Sequence, residues 1–182
     1  MTTDKIIMRD GDTAYEVEHN WGKLPDTIIL GKTHALVNDK AGNIILAQTS
    51  CDASPNKDTI LIFNSDGDLI NSWGEQFYQN AHGLTLHEED GVEYLYLVDD
   101  KNGVFKCTME GEVLFQWGKP DIYQENEWKW GPANVLVMAN CDIYLVEGYG
   151  EAYVLHFNAK GDLLHRFGGR IEGPEGTVHP SH

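Results

Sequence analysis

Ala81-His82-Gly83-Leu84-Thr85-Leu86 opens a pattern that continues to Gly118. It is followed by a polar turn, Glu88-Glu89-Asp90-Gly91, and by the strand-like run Tyr94-Leu95-Tyr96-Leu97-Val98-Asp99. A second turn, Lys101-Asn102-Gly103, leads to Val104-Phe105-Lys106-Cys107. Met109-Glu110-Gly111 then leads to Glu112–Gly118, which ends in Trp117-Gly118. Aromatic and β-branched runs separated by glycine and Asx turns read as strands joined by tight reversals. Residues 81–118 therefore predict four short antiparallel strands.

The same pattern is written on both sides. Trp-Gly or Phe-Gly endings fall at Trp21-Gly22, Trp73-Gly74, Trp117-Gly118 and Phe167-Gly168, spaced 52, 44 and 50. Repeat starts fall at His34, His82, Asn134 and His182, spaced 48, 52 and 48. Two independent markers agree on a period near fifty, which predicts the four-stranded blades of an all-β propeller. The expected organisation is a strand over 14–22, blades over 33–74, 81–118 and 133–169, and the start of another blade at 178–182. The lone first strand is expected to supply the outer strand of a final blade. No helical period of useful length is present, whereas two-residue alternation is, as in Asp68-Leu69-Ile70-Asn71-Ser72-Trp73.

Bulk composition narrows the function classes. Thirteen basic against twenty-nine acidic residues give a formal charge of -16. Such a surface repels nucleic-acid phosphates and anionic lipid, and it also serves solubility alone. Apolar runs are too short to span a bilayer, so no membrane partner is expected. The first residues lack a basic start followed by a long apolar segment. Cys51, Cys107 and Cys141 form no CxxC pair and no disulfide framework, which points to a reducing, cytoplasmic setting.

Candidate chemistry follows from repetition. His34, His82 and His182 hold equivalent positions, with Asn134 in the third blade, and equivalent positions in a ring converge on its axis. Three imidazoles around a channel suit a catalytic zinc with one open position. The other reading is that a histidine at a strand start hydrogen-bonds the turns of its own repeat. Tyr149, in Gly148-Tyr149-Gly150, is a general acid or base if a cation lowers its pKa, and otherwise a packing residue. Trp128 and Trp130 lie on the connector Lys119–Pro132 and either bind a ligand at the rim or pack over a repeat edge. No nucleophile elbow, phosphate-cradling loop or paired-carboxylate motif is present.

One family brings these residues together. His82-Gly83-Leu84, Asp90-Gly91, Tyr96-Leu97-Val98-Asp99-Asp100, Asn102-Gly103-Val104-Phe105-Lys106, Gly111-Glu112-Val113 and Trp117-Gly118 resemble the NHL repeat. Within that superfamily the chain resembles bacterial relatives of peptidyl-α-hydroxyglycine α-amidating lyase, a six-bladed propeller that releases an amide and glyoxylate. The resemblance implies zinc held by three histidines, His82 and His182 among them, and calcium held partly by backbone carbonyls, with Leu84 in that position. Tyr149, in Glu147-Gly148-Tyr149, matches the family's catalytic tyrosine. Gln48-Thr49-Ser50 stands where a first-blade arginine is expected, and a sixth blade with the third zinc histidine has no counterpart. The functional expectation is a metal-dependent lyase taking a small-molecule or peptide ligand in the central channel. The alternative is a non-catalytic propeller that binds a peptide, glycan or protein. Six blades at this period need on the order of 300 residues. The expectation is therefore a segment of a longer propeller, or a homodimer with three blades from each copy.

Overall fold

A computed structural model describes residues 6–169. Fourteen strands and two short helical turns make up the described chain: β1 (Ile6–Asp10), β2 (Thr13–Val17), β3 (Thr33–Asn38), β4 (Ile44–Gln48), β5 (Ile60–Phe63), β6 (Leu69–Trp73), a 3₁₀ turn (Glu75–Phe77), β7 (Ala81–Glu89), β8 (Val92–Asp99), β9 (Gly103–Cys107), β10 (Val113–Trp117), α1 (Asp121–Glu125), β11 (Asn134–Val137), β12 (Ile143–Val146), β13 (Tyr153–Phe157) and β14 (Leu163–Gly168). Strands β3–β6, β7–β10 and β11–β14 form three four-stranded antiparallel meanders, and β1 and β2 form a separate hairpin. This is the propeller-type blade arrangement that the repeat predicts.

The outer hairpin of each blade closes on the same turn. The first turn residue is Asn64, Thr108 or Asn158, and its side-chain oxygen accepts from the backbone N–H groups two and four residues on. Such side-chain acceptors replace backbone partners that a tight reversal leaves unpaired. The fourth position is Gly67, Gly111 or Gly161, with φ of 79°, 93° and 95°, a region closed to most side chains. A register shift lies beside the turn in every case, between Ile62/Phe63, Val113/Phe115 and His156/Phe157.

Alternation gives each blade two apolar faces, and successive blades bury them against each other. Ile45, Ala47, Ile60, Ile62 and Trp73 of the first blade pack on Leu84, Leu95, Leu97 and Cys107 of the second. Tyr96, Val98, Val104 and Trp117 on the far face of the second blade meet Val135, Val137, Ile143, Leu145, Leu155 and Phe157 of the third. Each junction is pinned by an indole. Trp73 Nε1 donates to the Met109 carbonyl at 3.0 Å, and Trp117 Nε1 to the Asn158 carbonyl at 2.9 Å. Phe167 holds the corresponding place in the third blade and is 48% exposed. Leu136, on the same face, is exposed as well.

The first strand differs from its expectation. Residues 14–22 are not one strand: β2 ends at Val17 and pairs with β1, because Asp10-Gly11-Asp12 reverses the chain with Gly11 at φ 56°. Trp21 nonetheless fills the expected junction. It packs with Leu24 and Ile28 on Leu61 and Phe63, covering the near face of the first blade. Its backbone lies so close to Gly67 that a Cβ there would meet the Trp21 carbonyl oxygen at 2.1 Å. Lys23 N–H donates to the Gly67 carbonyl at 2.7 Å. The two helical turns were not read from sequence, being too short to show a period. No helix among the described residues is long and apolar enough to cross a membrane.

Candidate functional site

The starts of the innermost strands β3, β7 and β11 meet, and the site is built where they do. His34 and His82 are each the second residue of their strand. Their rings stack with centroids 4.1 Å apart and planes at 29°. Gly83 makes the next approach possible: a Cβ there would lie 2.5 Å from the Ala133 carbonyl oxygen and 2.6 Å from Asn134 Oδ1. Freed of that clash, β7 comes close enough to β11 for His82 Nδ1 to bond the Ala133 carbonyl at 2.7 Å. A carbonyl accepts only, so Nδ1 carries a proton, and in the neutral ring Nε2 presents its lone pair. Nε2 lies 3.1 Å from the Tyr149 hydroxyl, which therefore donates to it. His82 is buried, whereas Tyr149 is exposed.

Tyr149 is aimed by the connector between the second and third blades. Its backbone N–H donates to the Gly131 carbonyl at 3.1 Å. A Cβ on Gly131 would meet the Tyr149 carbonyl carbon at 2.5 Å, so only glycine permits this approach. Below the turn lies Glu147, which is fully buried. Tyr123, from α1, donates its hydroxyl to Glu147 Oε2. Burial pushes the Glu147 carboxyl up from 4.5 to about 7, although the Tyr123 bond pulls the other way. Burial and the Glu147 bond together drive the Tyr123 phenol far above its ordinary value.

His34, His82 and Tyr149 line a pocket of about 260 Å³ together with Lys32, Asn80 and Asp100. The structure thus brings together three of the residues expected from sequence. Leu84 lies in β7 opposite Leu97, just past the register shift that follows Ala81, with its side chain in the core. His182 lies outside the described residues. Among the described residues no three His, Cys, Asp or Glu side chains gather in a metal-holding group. Trp128 and Trp130 pack rather than project. Both join the second core cluster, each contacts Tyr123 edge-on, and the Arg166 guanidinium lies 4.5 Å above the Trp128 ring.

Sequence reasoning missed Lys32, Asn80, Asp100 and Glu147. Glu147 lies inside the Glu147-Gly148-Tyr149 motif, and the acidic pair Asp99-Asp100 at a strand end was a usable signal. Nothing in the sequence distinguishes Asn80.

Comparison with known proteins finds distant relatives. No family model matches the chain. It is 27% identical over 180 aligned residues to peptidyl-alpha-hydroxyglycine alpha-amidating lyase 1 of Drosophila melanogaster, covering 84% of this chain and 32% of that protein. It is 25% identical over 111 residues to the probable peptidyl-alpha-hydroxyglycine alpha-amidating lyase pgal-1 of Caenorhabditis elegans, covering 60% of this chain and 31% of that one. The chain therefore spans about a third of the length of these curated relatives. A crystal structure of a Bacteroides caccae protein of unknown function is 14% identical, with a TM-score of 0.47, over 87% of this chain and 51% of that one.

Proposed function

We propose that this NHL-type propeller chain carries the proton-transfer half of a lyase that splits an α-hydroxyglycine-extended amide into the amide and glyoxylate. The hydrogen bond between Tyr149 and His82 carries the reading. A tyrosine hydroxyl whose proton already points at an imidazole lone pair can take a proton from a substrate as it passes its own on. In the proposed step, Tyr149 accepts the carbinol proton and hands its own to His82 Nε2. The carbinol oxygen's electron pair becomes the new C=O bond as the C–N bond breaks. The departing amide nitrogen takes the C–N pair and a proton from the His82 imidazolium, so atoms and charge balance.

Zinc and calcium are the metals the lyase resemblance calls for, and zinc would compete with the proton path at His82. A bound zinc would polarise the substrate oxygen beside His34 and His82, but with Nδ1 on the Ala133 carbonyl His82 Nε2 can either ligate the ion or take the Tyr149 proton, not both. The described residues supply only two of the three donors such a site needs, and the proton path above makes no use of a metal. The names of the two curated relatives support the reaction class. Trp128 and Trp130 pack against Tyr123 and Arg166, so they lend the rim-binding alternative no support.

The test is release of glyoxylate and benzamide from N-benzoyl-α-hydroxyglycine by the purified protein. Tyr149→Phe is expected to lower the rate by roughly 10²-fold or more. Wild-type protein that yields neither product, with or without added zinc, refutes the reading.

A further inference from the structure

The pocket that holds His82 and Tyr149 continues into a second one. Lys32, Thr49 and Gln79 line both, and the second is bounded further out by Gly31, Cys51 and Asp52. The first, at about 260 Å³, falls below the roughly 300–1,000 Å³ that enclose a drug-sized ligand. A ligand much larger than an acylated glycine therefore extends past it. The adjoining pocket has about 460 Å³ to receive the excess.

The join between the two is built from backbone. The Lys32 N–H donates to Thr49 Oγ1 at 3.1 Å, the Thr49 N–H to the Lys32 carbonyl at 2.9 Å, and the Gln79 N–H to the Thr49 carbonyl at 3.0 Å. Gly31 lets the segment before β3 lie against the end of β4, since a Cβ there would meet the Ser50 carbonyl oxygen at 2.3 Å. Ser50 and Gln79 hold φ of 60° and 66°, a region that non-glycine residues seldom adopt. Such strain persists where surrounding contacts enforce it, and it gathers at ligand sites. The exposed Gln79 side chain is fixed as well, because its Nε2 donates to Asp52 Oδ1 at 2.6 Å beside the Tyr78 hydroxyl. The Tyr78 and Gln79 bonds hold the Asp52 carboxyl below its ordinary value. Lys57 Nζ sits on the Cys51 and Asp52 carbonyls at 3.2 and 2.8 Å, so the carboxylate is balanced within the pocket wall.

We propose that the outer pocket is the subsite for the residues that precede the α-hydroxyglycine, and that the Gln79 carboxamide positions the chain where it crosses from one pocket to the other. The nature of the ligand rests on the lyase reading. What is added is its path over the first blade and the residues that line it.

Cys51 is a built-in reporter of that path. It is partly exposed in the outer pocket, Cys107 is buried, and Cys141 is partly exposed in a separate cleft beside Glu89 and Phe115. Alkylation of the purified protein with iodoacetamide, read by peptide mass spectrometry, gives a rate for each thiol. N-acetyl-Ala-Phe-Gly reaches across both pockets, whereas hippurate fills the first alone. The tripeptide at about ten times its Kd should slow Cys51 about tenfold and leave Cys141 unchanged. Hippurate alone should protect neither thiol, and in excess it should displace the tripeptide and restore the free rate at Cys51. An unprotected Cys51, equal slowing of Cys141, protection by hippurate alone, or protection that survives excess hippurate overturns the assignment. Gln79→Gly, in which glycine keeps the positive φ, should raise the tripeptide concentration for half protection about fivefold. An unchanged concentration overturns the role of Gln79, and the wild-type footprint decides the path even if the variant fails to fold. The footprint without glyoxylate release keeps this inference and removes the lyase. Turnover with Cys51 unprotected removes this inference alone.

Discussion

Replacing Glu147 with glutamine should stabilise the protein at high pH and leave it unchanged at low pH. Glu147 is fully buried and takes the Tyr123 hydroxyl as a hydrogen-bond donor. Its carboxyl is raised from 4.5 to about 7. At 1.36 kcal/mol per pKa unit, that is about 3 kcal/mol of preference for the neutral form in the folded state. A folded-state pKa above the unfolded one means that the native protein binds more protons between the two values. Its contribution to stability is complete below about 4.5, falls as pH rises through about 7, and stays lost above. The groups facing the carboxyl do not reverse this. Tyr123 and the backbone N–H groups of Tyr153 and Gly131 favour the charged form but do not outweigh burial, Glu151 adds like charge, and Arg166 lies near enough to act on Tyr123. Glutamine keeps the acceptor for Tyr123 and is neutral at every pH. Urea unfolding followed by tryptophan fluorescence at pH 4 and pH 8 measures the effect. The variant should gain up to about 3 kcal/mol over wild type at pH 8 and less than about 0.5 kcal/mol at pH 4. A pH-independent gap, or a loss at pH 8, would show that Glu147 is held as a carboxylate and refute the reasoning.

Equivalent junction residues should differ in cost. Trp117→Ala, which empties a buried indole site and leaves the Asn158 carbonyl without its donor, should cost about 3–5 kcal/mol in urea unfolding. Phe167→Ala, on the exposed face of the third blade, should cost less than about 1 kcal/mol. A large loss at Phe167 would mean that a second copy or another partner covers that face in solution. Among the turns, Gly111→Ala drives a Cβ to within 2.6 Å of the Trp73 ring at φ 93°, whereas Gly42→Ala at φ 83° meets open space. Thermal unfolding should show the first lowering the midpoint by several degrees more than the second, since only it adds overpacking to backbone strain.

The fold was legible because every blade repeats one physical device. An Asx or Ser/Thr turn, a glycine with positive φ and a closing aromatic are all written in sequence order, so strand positions emerged within a residue or two. The hairpin β1–β2 was half missed because Asp10-Gly11-Asp12 was not weighed as a turn. For the site, His34 and His82 stack because equivalent strand starts meet. Repetition could not supply Asn80 or Asp100. They reach the pocket wall through the pairing of the Asp100 N–H with the Asn80 carbonyl, a property of the three-dimensional surroundings rather than of residue type. Glu147 is the same case: its carboxyl is perturbed by burial beneath a turn whose path depends on Gly131, twelve residues past α1's preceding loop at Lys119. The tryptophans of the connector were ambiguous in sequence, and packing against Tyr123 and Arg166 decided them.

The indoles at the junctions give the molecule a built-in optical address system. Trp21 reports on the near face of the first blade, Trp73 on the seam between the first and second, and Trp117 on the seam between the second and third. Each is sensitive to solvent at one place and, in a chain of nearest-neighbour units, to the loosening of that place alone. Keeping one of the three and replacing the other two with phenylalanine, against a background in which Trp128 and Trp130 are also replaced, would yield three proteins with a single emitter each. Red shifts recorded against denaturant would then show in which order the seams open.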